Sequence, residues 1–469
     1  MNRKHTPKRM DRGLSRREFL AAATAAGAGL AIGRKAFAIG AGSKTDDLNV
    51  AVIGVGTQGQ VLLFTNCVKM AGLRFRAVCD IWPKNRDYIA RALKAYRHDV
   101  KAYTDYRDML AEQKDLDAVI IATPDSFHAE HTIACLKAGL HVYCEKEMSN
   151  SVEQARQMVI AARETGKLLQ IGHQRRSNPR YLVALDYINN KKALGRTTFV
   201  SGHWNRQKIL TRGWPAGSDI GAADLAKYGY DTMERFMNWR WYKKFSGGAI
   251  ADLGSHQIDV FHWFLGALPT AVMASGGLDY YTGIEWYDNV NALYEWPYAW
   301  GGETKPVRGF YQTLGTTSHG GYTETFMGTE GSLIISEFEG IGGLRRETTA
   351  PVADWEQPLL DAKKAEEDEA ARKAEEEARK AAEAATEKSD LVLAQHSVPM
   401  PGRYYPPIAG MKKPVHMPHL ENFFDAVRGK ARLTCPAEVG FETCVSVLRV
   451  NEAVEAGRRL NFKPEEFKA

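Results

Sequence analysis

Apolar positions along the chain fall into two textures. Between residues 48 and 171, short β-branched runs alternate with helical patterns. The runs are "LNVAVIGVGTQGQVLLF" (48–64), "RFRAVCD" (74–80), "DAVIIATP" (117–124), "HVYCE" (141–145) and "KLLQIGH" (167–173). Each strand-like run is apolar on both faces, as strands are when helices cover both sides of a parallel sheet. The expected class is therefore α/β, with a doubly wound parallel domain over 46–171. After residue 172 the pattern changes to period two and becomes aromatic-rich: "TTFVSGHWNRQ" (197–207), "TAVMASGGLDYY" (270–281), "DNVNALYEW" (288–296), "GFYQTLG" (309–315), "GSLIIS" (331–336). These predict a second, α+β domain over 172–355 with a large open, mainly antiparallel sheet. Helical periodicity returns at "HLENFFDAVRGK" (419–430) and at 437–460, inside a C-terminal segment (393–469) whose helices pack back on the core.

Two stretches stand outside both textures. Residues 356–392 are a charged Ala/Glu/Lys insertion with favourable i,i+4 pairs such as Glu369–Lys373 and Glu375–Arg379. Its apolar positions are nearly all alanine, so it lacks a coiled-coil seam and reads as a solvated single helix. Residues 1–45 open with basic residues, then "SRREFL" (15–20), the small-residue run "AAATAAGAGLAIG" (21–33) and an A-x-A-like site at Ala36 to Ala38. Arg16 and Arg17 ahead of a mildly apolar run predict a twin-arginine export signal and linker. The expected product is periplasmic or secreted, with the twin-arginine translocase as its partner during export and no membrane anchor after cleavage.

This reading changes the meaning of the charge. Residues 1–35 hold nine Lys/Arg and two acids, which accounts for the formal net charge of +6. The remainder is close to neutral, so nothing points to nucleic acid. The six cysteines (67, 79, 135, 144, 435, 444) form no C-x-x-C pair and read as buried free thiols.

Chemistry concentrates at three places. Gly54-Val55-Gly56-Thr57-Gln58-Gly59 follows a strand and opens a helix, and Asp80 ends the next strand. That context makes G-x-G-x-x-G a dinucleotide fingerprint in a Rossmann-type domain. Gly54 allows the tight turn, Gly56 admits a diphosphate, and Gly59 permits close helix–strand packing. Asp80 can accept ribose hydroxyls and repels a 2′-phosphate, which favours NAD over NADP. Thr123, Pro124, His128 and Glu145 are further candidate cofactor contacts. Lys146 stands at the carboxyl end of a parallel strand, the edge where such sheets bind ligands. In "GGAIADLGSHQIDVFHWFLG" (247–266), Asp252, His256 and Asp259 recur at i, i+4, i+7. A carboxylate one turn from an imidazole orients it and raises its basicity, as a general base requires. The alternatives are a helix cap with a satisfied histidine, and a metal site through His262 that lacks an evident third ligand; no metal is expected.

Together, the glycine motif, "AVIIATPDSFHAEHTIACLKAGLHVYCEKE" (118–147), "GHQRR" (172–176), "DLGSHQID" (252–259) and "GTEGSLII" (328–335) resemble the Gfo/Idh/MocA oxidoreductases. The resemblance implies that Lys146 reaches the reacting hydroxyl, with Asp252 and His256 as the acid/base pair. It makes Arg175 and Arg176 candidate substrate contacts, with Tyr181, Asn205 and Asp259 as weaker ones. It also implies a homodimer or homotetramer formed through the open sheet face. The family has proline after the lysine, where this chain has Glu147. A trans bond or a strained turn is expected there, with Glu147 either pairing with Lys146 or facing substrate as an extra acid/base, a role open also to Tyr228 or Tyr230.

The implied function is hydride transfer on a sugar, polyol or glycoside. Export removes the protein from the cytoplasmic NAD pool, so the cofactor would be tightly held and regenerated in place. A redox-neutral, NAD-dependent glycoside hydrolase is the alternative, and a non-catalytic sugar-binding protein on the same fold is the second.

Overall fold

The computed structural model describes residues 47–207, 212–361, 364–365, 402–405, 408 and 410–469. The segment expected to be an export signal and most of the charged insertion lie outside the described residues. Among those residues, no helix is long and apolar enough to cross a membrane.

The N-terminal sheet has six parallel strands in the order β3-β2-β1-β4-β5-β6. These are β1 Leu48–Ile53, β2 Leu73–Cys79, β3 Lys101–Tyr103, β4 Ala118–Ile121, β5 His141–Cys144 and β6 Leu169–Ile171. The strand order reverses between β1 and β4, which opens a crevice beyond their carboxyl ends. Helical segments cross between strands: α1 Thr57–Gln60, α2 Pro83–Ala95, α3 Asp125–Lys137 and α4 Val152–Thr165. Val50, Val52, Phe75, Val78 and Ile120 fill one face of the sheet, while Ala51, Ile53, Val119 and Ile121 fill the other. The double-sided apolar runs of the sequence have this origin.

The second sheet has nine strands, ordered β14-β13-β12-β11-β7-β10-β9-β8-β15. Its centre is β7 Thr197–Asn205, β9 Asn289–Trp300, β10 Glu303–Leu314 and β11 Tyr322–Gly328. β8 Ala271–Gly277 and β12 Gly331–Ile335 flank them, with β13 Gly343–Arg346, β14 Arg403–Tyr405 and β15 Leu460–Asn461 towards the edges. All pairs are antiparallel except β7 with β10, which run parallel. Along β9 the inward residues Val290, Ala292, Tyr294, Trp296 and Tyr298 are buried, whereas Leu293 is 46% exposed. One face of the sheet is therefore core and the other open.

Three further helices complete the core. α5 Ser255–Leu265 lies on the inner face of the second sheet, where Phe261 meets Trp296 and Phe326 edge-on. After β14 come α6 Met417–Val427 and α7 Ala437–Ala456. α6 brings Leu420, Phe423 and Phe424 onto the first sheet. α7 buries Phe441, Cys444, Val447 and Val450 in the core that both sheets share. All six cysteines are buried and unpaired.

Candidate active site

A cavity of about 800 Å³ runs along the carboxyl ends of the parallel strands to the inner face of α5. One end is built by the glycine turn. At Gly54 φ is +86°, and a Cβ there would stand 2.7 Å from the Ala122 carbonyl carbon and oxygen, so glycine alone closes this turn against β4. At Gly56 an added Cβ would meet nothing within 4 Å. The main chain is thus open at the start of α1, a shape that admits an anionic diphosphate. Asp80 follows β2 and lines the same end. Its Oδ2 accepts the Val55 N–H and its Oδ1 the Trp82 N–H, both at 2.8 Å. Burial raises its pKa against the pull of these bonds. Each oxygen keeps acceptor capacity for a ribose hydroxyl.

Residues 212–245 form a strap over this end. Trp82 Nε1 donates to the Ser218 carbonyl at 2.6 Å, and Arg212 Nη1 donates to Thr57 Oγ1 at 3.1 Å. Within it, Ile220, Leu225, Tyr230, Trp241 and Phe245 pack with Trp82 as a separate apolar cluster.

The other end holds Lys146, Asp252 and His256. Lys146 follows β5 and reaches across to Asp252, donating to its main-chain carbonyl and standing 3.4 Å from Oδ1. Arg240 Nε lies 3.2 Å from the same Oδ1. Burial pushes the Asp252 carboxyl up, but Arg240 and Lys146 outweigh it and hold Asp252 well below the usual carboxylate range. His256 is 7% exposed, and its ring sits 5.4 Å from that of Trp204. Burial first, and then the charge on Lys146, hold its imidazole well below its ordinary pKa. The ring is therefore neutral near pH 7 and able to accept a proton.

The pairing of Asp252 with His256 needs correction. Ile250–Gly254 is a π-helical turn, wider than an α-turn, so the i,i+4 spacing does not stack the two side chains. Asp252 spends its carboxylate on Lys146 and Arg240, and His256 Nδ1 has no hydrogen-bond partner among the described residues.

The peptide bond between Lys146 and Glu147 is cis, contrary to the expected trans form. The Glu147 carbonyl accepts from His128 Nδ1 at 2.7 Å, and Glu147 Oε1 accepts the Met148 N–H at 2.6 Å. The Glu147 side chain points away from the cavity into the core and is fully buried. It makes no ion pair with Lys146. Burial first, then the charge of Asp125, push its carboxyl up to about 8.

Of the other residues singled out in the sequence, Gly54, Gly56, Thr57, Gln58, Asp80, Thr123, Pro124 and Glu145 line the cavity. Gly59 sits behind the turn, where a Cβ would strike the Gly54 carbonyl. His128 is a correction: its two ring nitrogens face the carbonyls of Glu147 and Thr123, so it braces the wall and does not line it. The substrate candidates are corrected together. Arg175 is buried between Glu324 and Glu337, and Tyr181 Oη donates to Glu324 at 2.7 Å. Arg176 Nε bridges both oxygens of Asp259 at 2.9 Å, and Thr443 Oγ1 donates to Asp259 at 3.0 Å. Asn205 Nδ2 donates to the His319 carbonyl at 3.0 Å. None of these five lines the cavity. A buried guanidinium needs a carboxylate, and each arginine finds one across the fold.

In their place the walls carry Gln174, Trp204, Arg206, Arg240, Tyr322 and Asp125, along with Tyr228 and Tyr230. Asp125 begins α3 and is 2% exposed. Burial, then the nearby charge of Asp252, push its carboxyl up to about 7. Its position right after Thr123-Pro124 was a usable signal.

Residues 48–173 match the family described as "Oxidoreductase family, NAD-binding Rossmann fold", and residues 219–334 match the GFO/IDH/MocA C-terminal domain. Inositol 2-dehydrogenase of Salmonella typhimurium is 28% identical over 220 residues, covering 46% of this chain and 54% of that protein. The chain therefore spans about half the length of this relative. 2,7-Anhydro-N-acetylneuraminate hydratase of Escherichia coli is 27% identical over 333 residues, covering 70% of this chain and 76% of that one. Among solved structures, levoglucosan dehydrogenase in complex with NADH superposes with a TM-score of 0.60 at 18% identity, over 89% of this chain and 99% of its own. With both halves of the family matched in order on this two-sheet fold, the chain belongs to the Gfo/Idh/MocA oxidoreductase family.

Proposed function

We propose that the protein oxidises a ring hydroxyl of a sugar, polyol or glycoside with a nicotinamide dinucleotide held beneath the strap. The observation that carries this reading is the single cavity joining the Gly54–Gly59 turn and Asp80 to Lys146, Asp252 and His256. The open main chain at Gly56 and the spare acceptors of Asp80 fit the diphosphate and adenosine ribose. The Asp80 charge favours NAD over NADP. When bound, the nicotinamide supplies the hydride acceptor. Lys146 orients the substrate hydroxyl and stabilises the negative charge that develops on its oxygen. Neutral His256 takes the hydroxyl proton, while Asp252 fixes Lys146 and Arg240.

Export through residues 1–45 would place the protein outside the cytoplasm, and the strap supports a resident cofactor regenerated within the site. A redox-neutral course, in which oxidation is followed by elimination, hydration and re-reduction, is the second reading. Asp125, a buried cavity carboxyl with a pKa near 7, and the hydratase relative favour it. The open face of the nine-stranded sheet is the surface proposed for a second copy. Met273, Leu293, Phe310, Ser201, Thr325 and Ile334 form one row across six strands there.

The deciding experiment is mass spectrometry of the small molecules released on denaturing the purified protein, followed by absorbance of reduced nicotinamide with a sugar and glycoside panel. Stoichiometric NAD(H) and turnover support the reading. A protein that releases none and binds none on addition leaves a sugar-binding protein on this fold.

A further inference from the structure

Lys146, Arg206, Arg212 and Arg240 are among the cationic side chains that line the cavity. Asp252 answers two of them, at 3.4 Å from Lys146 and 3.2 Å from Arg240. Arg212 is turned to Thr57 Oγ1 and so to the diphosphate end. Arg206 has no carboxylate within 4.0 Å among the described residues. The other acids here are already engaged. Glu337 stands 3.3 Å from Arg175 behind the wall, and Glu145 accepts from Gln58 at 3.2 Å and Tyr143 at 3.4 Å. Asp125 Oδ2 accepts the Gly247 N–H at 3.4 Å.

Arg206 and Arg240 are also well placed. Arg206 follows the last residue of β7, next but one to Trp204, and its main-chain N–H is fixed on the Leu314 carbonyl at 2.9 Å. Arg240 lies against the Trp239 ring at 4.2 Å. With Nε on Asp252, its two terminal nitrogens have no protein partner among the described residues. Arg206 is close enough to Asp252 to help hold that carboxylate low. A neutral sugar would leave these guanidinium donors unmatched by charge, whereas a planar carboxylate pairs with such a fork in two-pronged fashion.

We propose that the substrate of this site carries a carboxylate, as in a uronic or other acidic sugar, and that Arg206 and Arg240 bind it. This deepens the sugar-oxidoreductase reading and rests on it for the placement of the reacting hydroxyl.

The test is equilibrium binding to the purified full chain, followed by tryptophan fluorescence because Trp204 and Trp239 line the cavity. A panel of hexuronates is compared with the hexoses of the same configuration, glucuronate against glucose first. Acids are expected to bind at least about tenfold tighter at low salt, with the advantage shrinking as salt is added. Arg206→Gln removes most of that advantage and Arg206→Lys retains part of it, with circular dichroism confirming that both fold. If no acid binds better than its neutral twin, or if the advantage survives Arg206→Gln, the proposal is overturned. An intact acid preference with no nicotinamide reduction would instead count against the oxidoreductase reading and leave the acidic ligand standing.

Discussion

Lys146 and Asp252 meet twice, once through the main-chain carbonyl of Asp252 and once at 3.4 Å from its carboxylate, although 106 residues separate them. The lysine of the first domain is thereby fixed against the helix entry of the second. Lys146→Ala is expected to lower kcat by roughly 10²- to 10⁴-fold, the usual reach of a positioned acid/base group. Bound nucleotide should be retained, because the glycine turn and Asp80 are untouched. Single-turnover kinetics alongside mass spectrometry of released cofactor measures both, and an unchanged rate would remove Lys146 from the site.

Glu147 gives a pH dependence of stability with a definite sign. Its carboxyl titrates near 4.3 when unfolded and at about 8 when folded. Between those values the folded state holds the extra proton, so its contribution is complete below about pH 4 and lost as pH rises through 8. Glu147→Gln supplies a neutral group at every pH. Its melting temperature is expected to gain on the wild type by several degrees between pH 5 and pH 9. Parallel melting curves across that range would refute the protonated state.

The strap predicts slow cofactor loss. Trp82→Ala deletes the 2.6 Å bond to Ser218 and part of the apolar cover, and Arg212→Ala deletes the contact with Thr57. Each should speed NADH dissociation by about tenfold or more, read by fluorescence on dilution. Rates equal to the wild type would assign retention to other residues.

The exposed row on the second sheet predicts self-association. Leu293, 46% exposed, pairs with Met273 on one side and Phe310 on the other. Light scattering of the wild type should show a dimer or tetramer, and Leu293→Glu should shift it towards monomer. A monomeric wild type would discard the surface.

Much of the fold was written in local pattern. The glycine turn, Asp80 and Lys146 all lie at the ends of strands that the apolar runs announce, and in a doubly wound sheet those ends converge whatever follows. The substrate wall was less legible, because its logic is long-range. Arg175 looks like a cavity residue until Glu324, 149 positions away, arrives on β11. Arg176 is likewise consumed by Asp259, 83 positions on. Asp252 and His256 show a second kind of failure. Their spacing is right for an α-helix, but the turn between them is a π-turn, which no side-chain pattern announces. The parallel pairing of β7 with β10 is equally silent in the sequence, since period two is the same for either strand direction.

The position of α6 has a consequence for how the chain is made. The six-stranded sheet is synthesised first, yet Leu420, Phe423 and Phe424 complete the core on one of its faces. Until residues 417–427 have left the ribosome, that face lacks its last apolar cover. Folding of the nucleotide sheet therefore finishes only after the whole second sheet domain up to α6 has been made, and a chain stopped short of α6 would present that apolar surface to chaperones and to other unfinished chains.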